Sequence, residues 1–526
     1  MKKDIQISLA PEIALDNEQL EAYLKNKFNA DQLFFRKTKQ SIDARGGQIK
    51  VNQQILVDTN TEIPLELGFK KSYQNVSQSK AAIVVGSGPA GLFAALRLIE
   101  LGIKPIVIER GKDVRTRRRD LAAINKIHVV NGESNYCYGE GGAGTYSDGK
   151  LYTRSKKRGD ILRILEIFVS HGATSDILVD NHPHIGTNKL PAVVSNLRES
   201  IIEAGGEVHF NTKVTDLILV QNEIKGVIDQ NGKNYEGIGV ILATGHSARD
   251  IFELLENKKV FIEAKPFAMG VRIEHQQSFV DQCQYKRKDR GLLPAASYSL
   301  VAQTKYKGIQ RGVFSFCMCP GGFIVPSATA EGEIVVNGMS PSRRDSKFAN
   351  SGVVVAINEP DWQEFKDFGP LAALQFQKQV EQKAYEQTKA YSKFGKHSQL
   401  APAQLIPDFI QGRVSTNLND TSYQPGLVSS DMKSLLPANI AFPLNDGLKE
   451  FGKKMRGYSN SSGQLIGIES RTSSPVRIPR DKETLEHVST RRLFPCGEGA
   501  GYAGGIVSAA IDGEKCAEAM VRKYGL

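Results

Sequence analysis

The run Ala81-Ala82-Ile83-Val84-Val85, continued without a break by Gly86-Ser87-Gly88-Pro89-Ala90-Gly91, constrains this chain more than any other segment. Five apolar residues ending at a glycine turn read as a buried strand, and Leu92, Ala95, Leu96 and Ile99 then recur at helical spacing. Strand, turn and helix in that order open a parallel nucleotide-binding fold. Gly86 permits the tight turn, Gly88 lets backbone approach a pyrophosphate, and Gly91 lets the helix pack close on the strand. With Ser87, Pro89 and Ala90 completing the turn, the first N–H groups of the helix and the positive end of its dipole face the phosphates.

A second strand over residues 105–109 ends in Glu109, 23 residues beyond Gly86, where a carboxylate can accept hydrogen bonds from both hydroxyls of an adenosine ribose. Arg110 is placed to stack beside the adenine. A glycine turn that binds nothing would not carry strand, helix and acid in register.

The motif alone does not separate FAD from NAD(P). Ile241-Leu242-Ala243-Thr244-Gly245 ends a strand in small residues that let backbone run close to a dinucleotide. Far downstream, residues 495–506 place a glycine-rich turn, with Gly497, Glu498, Gly504, Gly505 and Ile506, before another helix. That second half suits a pyrophosphate, a ribityl chain and the O2 edge of a flavin, and a nicotinamide enzyme has no need of it. FAD is therefore the expected cofactor.

At 526 residues the chain exceeds what one core organises. The expected fold class is α/β: a discontinuous FAD-binding Rossmann-like domain with an inserted β-rich α+β substrate domain and a small N-terminal α+β module. Residues 1–78 form the module as strand, helix and two strands, with Asp16 and Gln19 at capping-box spacing. Residues 79–257 and 471–526 form the two parts of the FAD-binding domain, with strands near 208–210, 226–228 and 240–244. Residues 258–470 form the insertion, with extended segments near 268–275, 312–318 and 332–337 and a helix whose Ala373, Phe376, Val380 and Ala384 share a face.

Composition is ordinary for a folded protein, with 40% hydrophobic and 24% charged residues. No segment reaches membrane-spanning length and the start carries no signal-peptide core, so a cytoplasmic location without membrane attachment is expected. Six cysteines are too few and too irregular for a disulfide framework. The net charge of +11 favours anionic partners, and its densest cluster, Arg110, Lys112, Arg115, Arg117, Arg118 and Arg119, lies beside the cofactor motif, so cofactor phosphate is its nearest expected partner.

Four further segments carry a resemblance: residues 138–151, 314–322, 469–475 and 497–506, containing Gly142-Ala143-Gly144-Thr145-Tyr146-Ser147-Asp148-Gly149-Lys150, Cys317-Met318-Cys319-Pro320-Gly321-Gly322 and Arg471-Thr472-Ser473-Ser474. The chain resembles the bacterial FAD-dependent dehydrogenases of the two-domain glutathione-reductase-like flavoprotein class. The resemblance implies that Gly142, Ala143, Gly144, Ser147 and Lys150 lie along the flavin and that Val214 meets the adenine through its backbone. It implies little about substrate. No second strand, glycine turn, helix and acid follows Gly86, so a separate NAD(P)H domain is not expected. NAD(P)H would act as an external donor reaching the flavin from the substrate side.

Flavin performs the electron transfer, so few protein residues are forced by the chemistry. The candidates are Arg471 with Ser474, a cation and hydroxyl for an anionic substrate or reduced flavin, and Cys317, which with Cys319 at i and i+2 would share a strand face. Packed cysteine and a capping cluster are the plainer alternatives. His246 and His275 are candidate proton carriers. A zinc site is not expected, because the cysteines lack a second paired cluster. The substrate is an unidentified small molecule. Two lesser readings remain: a flavoenzyme acting on RNA through Lys37, Lys39, Arg45 and Lys50, against which the module's lack of aromatic RNA-binding signatures counts, and a non-enzymatic flavin sensor or scaffold.

Overall fold

The computed structural model describes residues 2–152 and 159–525. Its organising sheet is parallel and has five strands, drawn from segments that lie far apart in the chain. Their order is Leu493–Pro495, Val240–Leu242, Ala81–Val85, Lys104–Ile108 and Glu207–His209. Ala82 to Val85 are buried on both faces, as a central parallel strand requires. The helix Pro89–Glu100 rests on this sheet through Leu92, Phe93, Leu96 and Ile99, all buried.

Beside it runs the last helix, Ile506–Tyr524. The two approach so closely that a Cβ on Gly513 would lie 2.0 Å from the Ala90 carbonyl oxygen, and one on Gly91 would lie 1.9 Å from that of Gly86. The glycines are there because no side chain fits between backbones.

The expected strand at 226–228 is present, but it does not join the parallel sheet. Glu223–Asp229 pairs with Val214–Val220 and Asn234–Glu236 in a separate antiparallel sheet, with Gln221 and Asn222 taking the positive φ of a tight hairpin turn. Short-range pairing wins over a return to the distant sheet.

Between residues 267 and 469 a seven-stranded sheet has the order Val301–Tyr306, Ile309–Cys319, Phe348–Ile357, Phe267–Gln276, Gln464–Glu469, Ala401–Leu405, Leu427–Ser429. One face is covered by Ala372–Thr388, whose Ala373, Phe376, Val380 and Ala384 are buried as their spacing predicts. The strand expected near 332–337 forms later, at Val336–Met339. Glu263–Ala264 pairs with Val476–Arg477, so the chain enters and leaves this region side by side.

The N-terminal strands Lys3–Leu9, Phe34–Asp43 and Lys50–Asp58 make an antiparallel sheet under the helix Asn17–Phe28, whose start is capped by the Asp16 carboxylate accepting from Glu18 N and Gln19 N. Gln40 exchanges backbone hydrogen bonds with Val179 and Asn181, which fixes the module to the rest.

Replacing Gly513 with alanine sets a helix-propensity gain of about 1 kcal/mol against overpacking of about 1–3 kcal/mol. Because the obstacle is backbone, a net loss of stability by urea denaturation is expected, and an unchanged midpoint would show that the helices slide apart freely.

Candidate functional site

The C-terminal ends of the parallel strands, both glycine turns and the end of the strand Ile309–Cys319 of the seven-stranded sheet surround a cleft. It encloses about 1400 Å³ free of protein atoms, its open mouth included, which is ample for a dinucleotide. One end is walled by Glu109, Arg110, Thr212, Lys213 and Val214, the middle by Gly86, Gly88, Pro89, Ala90, Gly245 and Gly497, and the far end by Ala143, Gly144, Ser147, Phe316, Cys317 and Thr472.

Two helix N-termini open on this cleft, and neither Gly88 nor Gly505, their N-cap residues, offers a side chain to the free N–H groups. Positive dipole ends converge there with unused donors, the environment a diphosphate requires. Gly86 takes a φ of 103°, and a Cβ on it would lie 2.4 Å from the Ala243 carbonyl oxygen. The turn therefore admits backbone and ligand but no side chain.

The loop carrying Gly142 to Gly144 is held from below. Arg117 is wholly buried and donates to the carbonyls of Asn135 (2.7 Å), Glu140 (2.9 Å) and Gly142 (3.1 Å). Burial lowers its pKa, with no carboxylate bound to it. Sequence reasoning placed Arg117 among phosphate-facing cations, but of that cluster only Arg110 lines the cleft. A signal was present: Val114, Arg117, Leu121 and Ile124 form the buried stripe of one helix, so the arginine occupies a core position.

Of the residues expected along the cofactor, Gly86, Gly88, Pro89, Ala90, Glu109, Arg110, Gly142, Ala143, Gly144, Ser147, Val214, Ala243, Thr244, Gly245, Gly497, Glu498, Gly504, Gly505 and Ile506 line the cleft. Ser87 and Gly91 lie behind the turn: Ser87 donates to Glu109 through both N (3.0 Å) and Oγ (2.8 Å), and Gly91 faces the strand. Lys150 is not among the lining residues, its ammonium donating to the Met318 carbonyl beside Cys317. Glu109 already accepts from Ser87 and, through its other oxygen, from Gly111 N and Gly139 N. Arg110 lies 4.2 Å from the ring centre of Tyr138, paired with Glu133 and Asp250, so one of its faces is covered before any adenine arrives.

The chemical candidates fare differently. Arg471 borders the cleft, but its guanidinium donates to Glu381 (3.2 and 3.1 Å), Glu333 (2.9 Å) and Thr329 (2.6 Å). Arg249 completes a quartet with the same two carboxylates, at 2.6 and 2.7 Å. Burial works to raise the Glu381 carboxyl, yet Arg249 and Arg471 hold it well below its ordinary value. The positive charge expected for an anionic substrate is thus neutralised within the protein. Ser474 is buried, its Oγ accepting from Val476 N at 3.2 Å in an ST turn and donating to the Val476 carbonyl at 2.6 Å.

Cys317 does open into the cleft, in a left-handed conformation with φ of 43°, while Cys319 is buried against Arg272. A register shift between Phe316 and Cys319 separates the two faces that strict alternation would have joined. Arg272 donates to the Cys317 carbonyl at 2.7 Å and so presents the residue. Enclosure by the protein pushes the Cys317 thiol up to about 11, keeping it protonated.

His275 is core, its Nε2 bonded to the Tyr458 carbonyl at 2.8 Å. His246 lines the cleft. Cys496, which also borders the cleft, converges with Asp512 and Cys516 on Arg480, whose guanidinium bonds Asp512 at 2.6 and 3.0 Å and supplies the cation of that cluster. On the N-terminal module Lys37 is turned inward to Asn17 and the Ala14 carbonyl, and Arg45 pairs with Asp43. No helix among the described residues is long and apolar enough to cross a membrane.

Residues 81–120 match a family described as an FAD binding domain, residues 266–472 one described as FAD-dependent protein, C-terminal domain-like, and residues 1–58 a domain of unknown function. A Clostridium beijerinckii protein described only as uncharacterized is 43% identical over 506 residues, covering 93% of this chain and 92% of that one. The chain belongs with it to one family of FAD-dependent proteins.

FAD is its cofactor, and the residues of the cleft fit that molecule: uncapped helix ends for the diphosphate, side-chain-free turns and a length that spans both halves of the sheet. A thiamine thiazole synthase of Methanococcus vannielii is 29% identical over 196 residues, 34% of this chain and 62% of that protein. A geranylgeranyl bacteriochlorophyll reductase-like structure from Thermoplasma acidophilum is 12% identical with a TM-score of 0.34, covering 85% of this chain and 82% of that one, a likeness too low to carry substrate or mechanism across.

Replacing Arg117 with methionine leaves three buried carbonyls without their donor. A loss of about 2–4 kcal/mol in urea denaturation is expected, with FAD dissociating more readily, and retention of both properties would show that the loop holds itself.

Proposed function

We propose that this flavoenzyme is a dehydrogenase-type oxidoreductase of the two-domain glutathione-reductase-like class, working in the cytoplasm on a small molecule that enters from the seven-stranded sheet. The observation that carries the reading is the meeting of Phe316 and Cys317 from that sheet, Asn337 from the separately paired strand Val336–Met339 and Thr472 from the segment after Gln464–Glu469 with Ala143, Gly144, Ser147 and Ile506 at one end of the FAD cleft.

In this reading Glu109, Arg110 and Val214 hold the adenosine. The turns at Gly86 to Ala90 and at Gly497, with Thr244 and Gly245, hold the diphosphate, and Gly142 to Ser147 with Gly504 to Ile506 border the flavin. For Glu109 to take a ribose hydroxyl, the Ser87 Oγ gives way, since both carboxylate oxygens already have donors. Bound FAD supplies reversible two-electron chemistry. The protein's part is to orient the substrate between Cys317 and Thr472 and to exclude water from the far end of the cleft. Cys317, protonated and uncharged, packs or donates a weak hydrogen bond there. NAD(P)H acts, where it acts, as an external donor from the substrate side.

Anaerobic mixing of the FAD-loaded protein with a panel of small-molecule donors, following flavin bleaching, tests this. At least one donor class is expected to bleach the flavin far faster than it reduces free FAD, and Cys317→Ser is expected to keep that rate within about tenfold. Inertness toward every donor, NADH and NADPH included, would remove the oxidoreductase reading.

A further inference from the structure

At the wall of the cleft, Glu498 and His246 face each other across the two glycine turns, Glu498 Oε2 lying 4.0 Å from His246 Nε2. The other side of the imidazole is fixed. His246 Nδ1 lies 2.9 Å from Ser247 Oγ, and that hydroxyl in turn donates to Cys137 Sγ at 3.4 Å. Cys137 Sγ makes its own weak contact with the Ser327 carbonyl at 3.9 Å. All four residues line the cleft.

A hydroxyl has one proton. With the Ser247 proton directed at the Cys137 sulfur, Ser247 Oγ receives the proton of His246 Nδ1, and Nε2 is left bare toward Glu498.

We propose that Glu498 and His246 hold one transferable proton between them at the wall of the FAD cleft, with Ser247 and Cys137 as positioning residues that fix Nε2 as its receiver. This rests on the oxidoreductase reading above and deepens it: two-electron chemistry at a flavin has to be matched by a proton, and this pair is a place to keep one. Because 4.0 Å exceeds hydrogen-bond reach, transfer to His246 runs through one intervening water: the O–H bond of the Glu498 carboxyl breaks toward that water, and the water gives one of its own protons to His246 Nε2, while a substrate atom that reaches the carboxyl takes the proton directly. No electrons move, and the carboxylate left behind is re-protonated from water at the mouth.

The surroundings favour a retained proton. Recessed in the cleft, the Glu498 side chain is 27% exposed and that of His246 11%. Burial pushes the carboxyl up to about 8, opposed by Lys265 alone. Lys265 is itself lowered by burial and faces Arg477 as well. Burial, then the Arg471 guanidinium, brings His246 down to about 4, with Arg249 acting the same way and Glu381 against. A diphosphate in the same cleft adds negative charge and works further against ionisation of Glu498. At neutral pH the proton therefore sits on the carboxyl, and the imidazole stays neutral.

Stability should carry the matching sign. A carboxyl raised from 4.5 to about 8 binds more protons folded than unfolded, so its contribution is present below 4.5 and is lost as pH rises through 8. Glu140 and Glu514, raised by burial to about 6 and about 7, titrate in the same window, so the comparison has to be with a Glu498 variant.

The test is an infrared pH titration of the FAD-loaded protein from pH 5.5 to 9.5, reading the C=O stretch of protonated carboxyl groups, with the bound-flavin absorbance recorded in parallel. Wild type is expected to show a protonated carboxyl at pH 7 that titrates near pH 8, and Glu498→Gln is expected to lack that component and to lose less thermal stability between pH 5.5 and 8. Ser247→Ala should move the midpoint by a unit or more, a tenfold change in proton affinity, and Ser247→Thr should restore it. An unchanged spectrum in Glu498→Gln overturns the shared proton. An unmoved midpoint in Ser247→Ala overturns the positioning role. Neither result depends on turnover, so failure here is separate from inertness in the donor panel.

Discussion

Everything in this fold depends on two helices lying backbone against backbone. Gly513 and Gly91 remove the side chains that would separate the helix at residues 506–524, the helix at residues 89–100 and the turn beneath it. Two consequences are geometric. The N-termini of both helices end at one place, and the strands that feed them, 81–85 and 493–495, flank the same strand at 240–242. An anion at that place meets two dipoles and two sets of free N–H groups instead of one, and this is why a cofactor with a diphosphate at its middle can be clasped by segments separated by about four hundred residues of chain.

The same economy explains where the charges went. A chain with an excess of basic residues bordering a phosphate site would be expected to aim them at the phosphates. Instead Arg117 supports a loop through carbonyls, and Arg249 and Arg471 neutralise Glu333 and Glu381 in a closed quartet between the sheet region and the cofactor fold. Buried pairs of this kind are weak evidence for stability, but removing one member leaves an uncompensated charge, so they fix one arrangement of the two regions against others. Uncapped backbone amides face the cleft, and arginines hold the backbone behind them.

That division decides what could be read from the sequence. Glycine requirements are local: a tight turn, a close helix and an acid at the next strand end leave a pattern in consecutive residues, so Gly86, Gly88, Glu109, Ala243 and Gly497 could be placed at one cleft. Side-chain partnerships are not local. Arg471 meets Glu381 and Glu333 across 90 and 138 residues, and Lys150 finds a carbonyl 168 residues on, at Met318. Nothing in the neighbourhood of either residue announces such a partner. The strand at 223–229 was legible as a strand but not as a member of a separate sheet, because period and composition say nothing about which neighbour a strand pairs with.

Arg117 and Cys317 mark the boundary between those cases. Arg117 breaks a local rule in a way the sequence shows to a reader who tracks phase, an arginine in the apolar stripe of an amphipathic helix, whereas the sequence around Cys317 alternates regularly and its break, a register shift before Cys319, exists only in the fold. Local inconsistency of this kind persists where tertiary structure over-determines the conformation. In both positions the over-determining element is the wall of the cleft. Arg117 secures the loop at Gly142 to Gly144 that lines the cleft, and Arg272, by its bond to the Cys317 carbonyl, secures the strand that lines its far end. The arginine in the apolar stripe therefore points to the wall of the cleft near Gly142 independently of the glycine turns at Gly86 and Gly497.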